Sequence, residues 1–284
     1  ANIGNPTLNW MVGGSVSNTL LNTATSGSGY PSGYYPVVPD GLFEGQAFDV
    51  NAPTHITSLR ANGFVNPGGN LTTANTTQVT FAVFGNATNM PDGLPMALGG
   101  NAPVWTYSTA VNGAGVSVPG NALLLNLNAS GVPALDLTSG RYWFVAYPTM
   151  NTNPPYAGGS DAGWYWRLSP DAPSSAKPVI FETGDTGWSL TTQNSMSAQI
   201  VGMVACTTPS WISVTPPSGS LGYAANQNAT VSFDPTGLSA GTYTGSVCIS
   251  SNATNTPTAI VNVTFTVTAV PHKVSPSVGT PAGT

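Results

Sequence analysis

Charge is what this sequence has least of. Only 5% of its 284 residues are Asp, Glu, Lys or Arg, where about 25% is usual in soluble globular domains. Five basic residues cannot form a stripe that tracks phosphates, so nucleic acid is not an expected partner. An anionic membrane surface is disfavoured for the same reason. No apolar run approaches the ~18–20 residues needed to span a bilayer, so membrane insertion is not expected. Histidine is nearly absent: His55 and His272 are the only two. Zinc needs three or four Cys, His or carboxylate ligands, and no cluster supplies them. Asp161, Asp171, Glu182 and Asp185 are the densest acids, without the spacing of a calcium-binding EF-hand loop. No metal and no cofactor is therefore expected. A sustained 3.6-residue apolar period is missing too, which argues against any substantial helix.

What remains is apolar or neutral and polar. Hydrophobic residues make up 40% of the chain, enough for a sizeable core. Its surface must be built from Asn, Ser, Thr and Gly. Dispersed turns carry 33 Gly and 25 Pro, and the runs between them are short and rich in Val, Thr, Phe and Tyr. This is an all-β composition. The two cysteines, Cys206 and Cys248, fall in the last third. They are either buried thiols or a disulfide, and the disulfide is preferred because the rest reads as extracellular. Closing that loop would add roughly 4 kcal/mol on the chain-entropy model. The chain opens on ANIGNP, as a mature protein would after removal of a secretion signal, so an extracellular or cell-surface location is expected. Sequons stand at Asn70, Asn75, Asn86, Asn128, Asn228, Asn252 and Asn262. They are weak support for exposed loops and candidate glycosylation positions.

A boundary falls near Cys206. Residues 1–204 carry long loops and most aromatics, and read as one β-sandwich. Residues 205–269 hold shorter, more regular strands, and 270–284 form a Pro-rich extended tail. The strand candidates after the boundary start at Trp211 (WISV), Leu221 (LGY), Ala229 (ATVSFD), Thr242 (TYTGSVCIS) and Ala259 (AIVNVTFTV). In the last, Val261, Val263, Phe265 and Val267 alternate with Asn262, Thr264 and Thr266, as in a half-buried sandwich strand.

One motif in this region suggests catalysis. Gly237–Gly241 reads GLSAG and matches G-x-S-x-G, the nucleophile elbow of serine hydrolases. An elbow needs a helix after the serine. Here GTYTGSVCISS comes next and VSFDPT precedes, so the segment is predicted to be a turn between two strands. Tyr243 then stands where sandwich domains place a tyrosine corner. No catalytic residue is assigned: His55 has no supporting motif, and Glu44 with Glu182 is an arbitrary pair among ten acids.

Residues 208–268 resemble a known module. Trp211-Ile-Ser-Val, Pro216-Pro-Ser-Gly, Thr236-Gly-Leu-Ser-Ala-Gly-Thr-Tyr-Thr-Gly and Ile249-Ser-Ser-Asn are similar to the BACON-like and related immunoglobulin-like domains of secreted bacterial proteins. That resemblance implies an immunoglobulin-like β-sandwich used as a spacer or adhesive unit; the cysteine pair departs from it. Upstream, FEGQAFDVNAPTHITSLRANGFV, VTFAVFGNATNMPDGLP and LDLTSGRYWFVAYPTM resemble jelly-roll-type sandwich domains of secreted, surface-anchored bacterial proteins. The implied fold is a jelly-roll-like sandwich followed by an immunoglobulin-like one.

Two functions are expected on these grounds. The first is a non-catalytic structural subunit that joins copies of itself into an extracellular fibre or surface layer. Few charges allow close approach, and an extended terminus could add a strand to another copy's sheet. The second is a carbohydrate-binding or adhesive module that engages a polysaccharide. Alternation puts Trp164 and Trp166 on one face. They either fill the core, the preferred reading, or form a glycan platform with Tyr142.

Overall fold

The computed structural model describes residues 8–13, 15–152, 163–172, 176–205, 208–222, 225–251 and 258–269. Among these the chain is nearly all β. The first strands are β1 (Leu8–Val12), β2 (Ser15–Asn22), β3 (Gly29–Pro31), β4 (Gly33–Tyr35), β5 (Asp40–Val50), β6 (Thr54–Ala61), β7 (Gly63–Asn66) and β8 (Thr76–Phe84). Next come β9 (Asn86–Ala87), β10 (Met90–Pro91), β11 (Trp105–Thr109), β12 (Val116–Ser117), β13 (Leu123–Asn126), β14 (Leu135–Leu137), β15 (Gly140–Met150) and β16 (Gly163–Ser169). The last are β17 (Val179–Glu182), β18 (Ser189–Leu190), β19 (Ser195–Met196), β20 (Ala198–Ala205), β21 (Ile212–Thr215), β22 (Ser218–Leu221), β23 (Thr230–Phe233), β24 (Gly241–Ser251) and β25 (Thr258–Val267).

Two compact units divide the chain: Ser17–Ala205, and Ala1–Val16 together with Cys206–Thr284. The expected run 1–204 is thus corrected at its start. β1 pairs with strands of the C-terminal unit, which no local pattern in its five residues announces. The tail at 270–284 lies outside the described residues.

In the larger unit one sheet runs β11-β8-β15-β4-β5-β17-β18, and another runs β12-β13-β6-β20-β2 with β14 also on β6. Phe48, Phe81 and Phe144 of the first share a core with Ile56, Leu59, Leu125 and Ile200 of the second, so the two sheets form a sandwich. The opposite face of the first sheet is covered as well, with Phe43, Trp143, Val145, Tyr147 and Phe181 in a second cluster. Strand β15 feeds both: Phe144, Ala146 and Met150 point to one cluster, Trp143, Val145 and Tyr147 to the other. Burial on both faces explains why WFVAY is a continuous apolar run rather than an alternating one.

The smaller unit sets β22-β1-β24-β25 beside the pair β21-β23. Trp211 is its centre, stacked on Phe265 at 5.7 Å and tilted against Phe233 and Tyr243 at 6.1 and 6.2 Å. β24 and β25 pair over ten residues in register, from Gly241↔Val267 to Ser250↔Thr258. In β25 the expected alternation holds over 262–267: Val263, Phe265 and Val267 are half-buried, and Asn262, Thr264 and Thr266 are exposed. It fails at Val261, which is 49% exposed.

Candidate assembly site

The N-terminal strand is the site with the most to explain. β1 reads LNWMV. Leu8, Trp10 and Val12 are half-buried, while Asn9 and Met11 are exposed, the two-residue period of a strand with one covered face. On one side it pairs antiparallel with β22, Leu8↔Leu221 through Met11↔Ser218. On the other it pairs antiparallel with β24, Trp10↔Ser251 through Val12↔Ile249. β1 therefore lies inside the sheet, and β22 joins β24 only through it.

Bonds beyond the ladder fix its end. The Val12 N–H donates to Pro217 O at 2.7 Å and the Gly13 N–H to Cys248 O at 2.9 Å. Ser250 Oγ donates to Gly13 O at 2.8 Å, and Ser220 Oγ to Asn9 Oδ1 at 2.6 Å. Glycine at 219 makes room for the Trp10 indole, because a Cβ there would stand 2.7 Å from Trp10 Nε1. Asn9, Trp10, Met11, Ser250 and Ser251 line a groove of about 280 Å³ along this strand. Gly13 comes next with φ +89°, a conformation that suits glycine, and β2 begins at Ser15.

Other residues singled out from the sequence fall elsewhere. The glycan platform is corrected: Trp164 and Trp166 are both 0% exposed. Their indole N–H groups donate to Asn121 O at 2.7 Å and Ser197 O at 2.8 Å, so the rings are wholly committed to the core. Tyr142 is half-buried, 5.9 Å from the Phe48 ring, with its hydroxyl tied to Thr138 at 3.1 Å. No sugar can lie flat on the three together.

GLSAG is a turn. Gly237 has φ +80°, the Leu238 N–H donates to Pro235 O at 3.0 Å, and β24 rather than a helix comes after it. Tyr243 donates its hydroxyl to Ser239 O at 2.9 Å, four residues upstream, in the manner of a tyrosine corner. Asp234, at the head of the turn, accepts the Thr236 N–H at 2.9 Å; its hydrogen bonds with Thr236 hold its carboxyl below the usual range.

His55 does have a carboxylate partner that sequence reasoning missed: Asp136 Oδ1 lies 2.8 Å from Nδ1 across β6 and β14. The partner residue on the other side is Met203, so the register brings no serine beside this pair. Glu44 is 0% exposed with neither carboxylate oxygen hydrogen-bonded, while Glu182 is solvent-exposed. A carboxyl sealed from substrate cannot work with one on the surface. Among the described residues no group of three or more His, Cys, Asp and Glu comes together to hold a metal.

Cys248 is 1% exposed in β24, and Cys206 lies outside the described residues. Of the sequons, Asn70, Asn86, Asn128, Asn228 and Asn262 are exposed, Asn75 is half-buried and Asn252 lies outside the described residues. Asn75 and Asn86 have structural work: Asn75 Nδ2 donates to Asn70 O at 2.9 Å, and Asn86 Oδ1 accepts the Trp143 indole N–H at 3.0 Å.

Residues 173–264 match a family model described as the viral BACON domain, in agreement with the BACON-like reading of the C-terminal region. The match ends within β25 and does not include β1, so the sheet of the smaller unit is filled by a strand from outside the matched stretch. No curated protein matches the chain.

Proposed function

We propose that this chain is a secreted, non-catalytic structural protein. It works as a self-assembling subunit of an extracellular fibre or surface layer, and copies join by β-strand addition through the N-terminal segment. The position of β1 carries this reading. A five-residue strand from one end of the sequence occupies the middle of a sheet whose other strands lie beyond residue 217. A vacated β22–β24 gap would leave two rows of backbone donors and acceptors unpaired. The same segment from another copy satisfies them equally well. Gly13, directly after β1, has φ +89°, and short glycine-containing turns favour exchange between copies.

The disulfide belongs to the same proposal. The sequence has two cysteines, and no free one is found among the described residues. A Cys206–Cys248 bridge would fasten β24, one of the two strands that receive β1, and fits an oxidising extracellular setting.

Cross-linking tests the exchange directly. Asn9 and Ser220 face each other in register, so chains carrying Asn9→Cys are mixed with chains carrying Ser220→Cys at high concentration. Covalent heterodimers, together with polymers of the unmodified chain in electron micrographs, are expected. If only the double variant cross-links, within single chains, and the protein stays monomeric throughout, assembly by strand addition is wrong.

A further inference from the structure

In the smaller unit the sheet β22-β1-β24-β25 ends on β25, and among the described residues no strand pairs with its outer side. Every second residue of an edge strand turns its N–H and C=O away from the neighbour, and these groups stand open. Natural sheets blunt such edges with short strands, charges, proline or bulges. β22, at the opposite edge, has four residues and follows Pro216-Pro217. β25 carries none of these devices. It has ten residues, TAIVNVTFTV, with no charge and no proline. Its register with β24 runs unbroken from Gly241↔Val267 to Ser250↔Thr258.

Burial stops abruptly at this strand. On two successive rungs Val247 faces Val261 and Cys248 faces Ile260. Val247 and Cys248 are buried, whereas Ile260 is 54% and Val261 49% exposed. Ile260 and Val261 are neighbours in sequence, so they point to opposite faces of the sheet. A ligand lying on either face covers one of them. A strand added to the edge covers both and pairs the open backbone groups as well.

The strand that fits best is β25 itself. A twofold axis through one of its residues pairs each position with another of the same parity, hence of the same face. An axis at Val263 sets Val261 against Phe265 and Asn262 against Thr264 of the other copy, apolar on apolar and polar on polar. With no charge on the strand, two copies approach without repulsion. We infer that the outer edge of β25 is a docking surface for a second copy of this chain, joined antiparallel through β25 of each. The choice of occupant rests on the self-assembling reading above, but the contact does not need β1 to leave its own sheet.

The test uses the full chain carrying both Asn9→Cys and Ser220→Cys, oxidised so that β1 is fixed in its own sheet and cannot be exchanged. Sedimentation velocity over a concentration series is expected to show dimers. Amide hydrogen exchange over Thr258–Val267 is expected to slow as they form. Ile260→Lys and Val261→Lys are each expected to raise the dimer dissociation constant tenfold or more. Both side chains are about half exposed, so an unchanged melting temperature would show that these variants fold. Leu190→Lys, at an exposed apolar position of the larger unit, is expected to dimerise as the locked chain does. Three results would each overturn the inference: a locked chain that stays monomeric, dimers that leave the β25 amides unprotected, or dimers indifferent to both β25 lysine variants. Mixed-chain cross-linking between positions 9 and 220 can fail while these dimers form, and the reverse, so the two readings fall separately.

Discussion

Glu44 couples the stability of the fold to pH. Burial without any hydrogen bond pushes its carboxyl well above the ordinary carboxylate range, so it is held as the neutral acid in the folded chain. In the unfolded chain it ionises near its usual pKa of about 4.3. The unfolded state therefore holds fewer protons above that pH, and stability falls as pH rises from there toward the folded-state pKa. Glu44→Gln removes this loss. Its melting temperature is expected to exceed that of the unmodified chain by several degrees at pH 7 and to differ little at pH 4. Equal shifts at both pH values would mean the carboxyl is not held neutral. Gly63 supplies a steric counterpart. A Cβ there would run into the Trp164 ring, and overpacking of this kind costs about 1–3 kcal/mol. Gly63→Ala is expected to lower the denaturant midpoint without changing the slope. Neither feature is legible in the sequence. Glu44 sits in FEGQAFDV, where a strand is plain but its two-sided burial is not. Alternation does place Trp164 and Trp166 on one face, and only the packing of the sheets shows that this face is interior.

At the scale of elements, local signals read well and long-range ones do not. The strands around WISV, ATVSFD, TYTGSVCIS and AIVNVTFTV lie within a residue or two of their expected places, because their alternation and turns are encoded nearby. The GLSAG turn is legible for the same reason: the residues after it alternate like a strand. β1 is not legible as part of the C-terminal unit. LNWMV is too short to declare a partner, and its partners lie more than 200 positions away, as Asn9 and Ser220 show. Its contribution can be measured. Proline cannot donate to a ladder and is excluded from interior strands. Met11→Pro is therefore expected to destabilise the smaller unit by about 1–3 kcal/mol, the cost of a backbone partner left unsatisfied. Tryptophan emission from Trp211 and limited proteolysis of 208–268 would report it, while the Ser17–Ala205 unit resists as before. Met11 is 53% exposed, so a surface effect alone would leave both signals unchanged.

For the whole molecule, scarcity of charge sets the kind of force available. Among the described residues Arg141 pairs with Asp49 and His55 hydrogen-bonds Asp136, and both contacts are partly exposed. Exposed pairs of this kind contribute about 0–1 kcal/mol and are screened by salt. Three arginines are already occupied inside the fold. Arg141 grips Asp49, Arg60 Nε donates to Asn62 Oδ1 at 2.6 Å, and Arg167 lies 4.6 Å over the Phe64 ring. Cohesion must then come from apolar burial and backbone pairing, neither of which weakens with added sodium chloride. Raising it from about 0.05 M to about 1 M is expected to move the melting temperature by no more than about 2–4 °C. Association of copies should persist over the same range, because a strand held by backbone N–H and C=O groups has no counterions to release. Light scattering across the salt series checks both consequences together. Polymers that dissolve as salt rises would point to an electrostatic interface, and β1 would then be only an internal strand of its own chain.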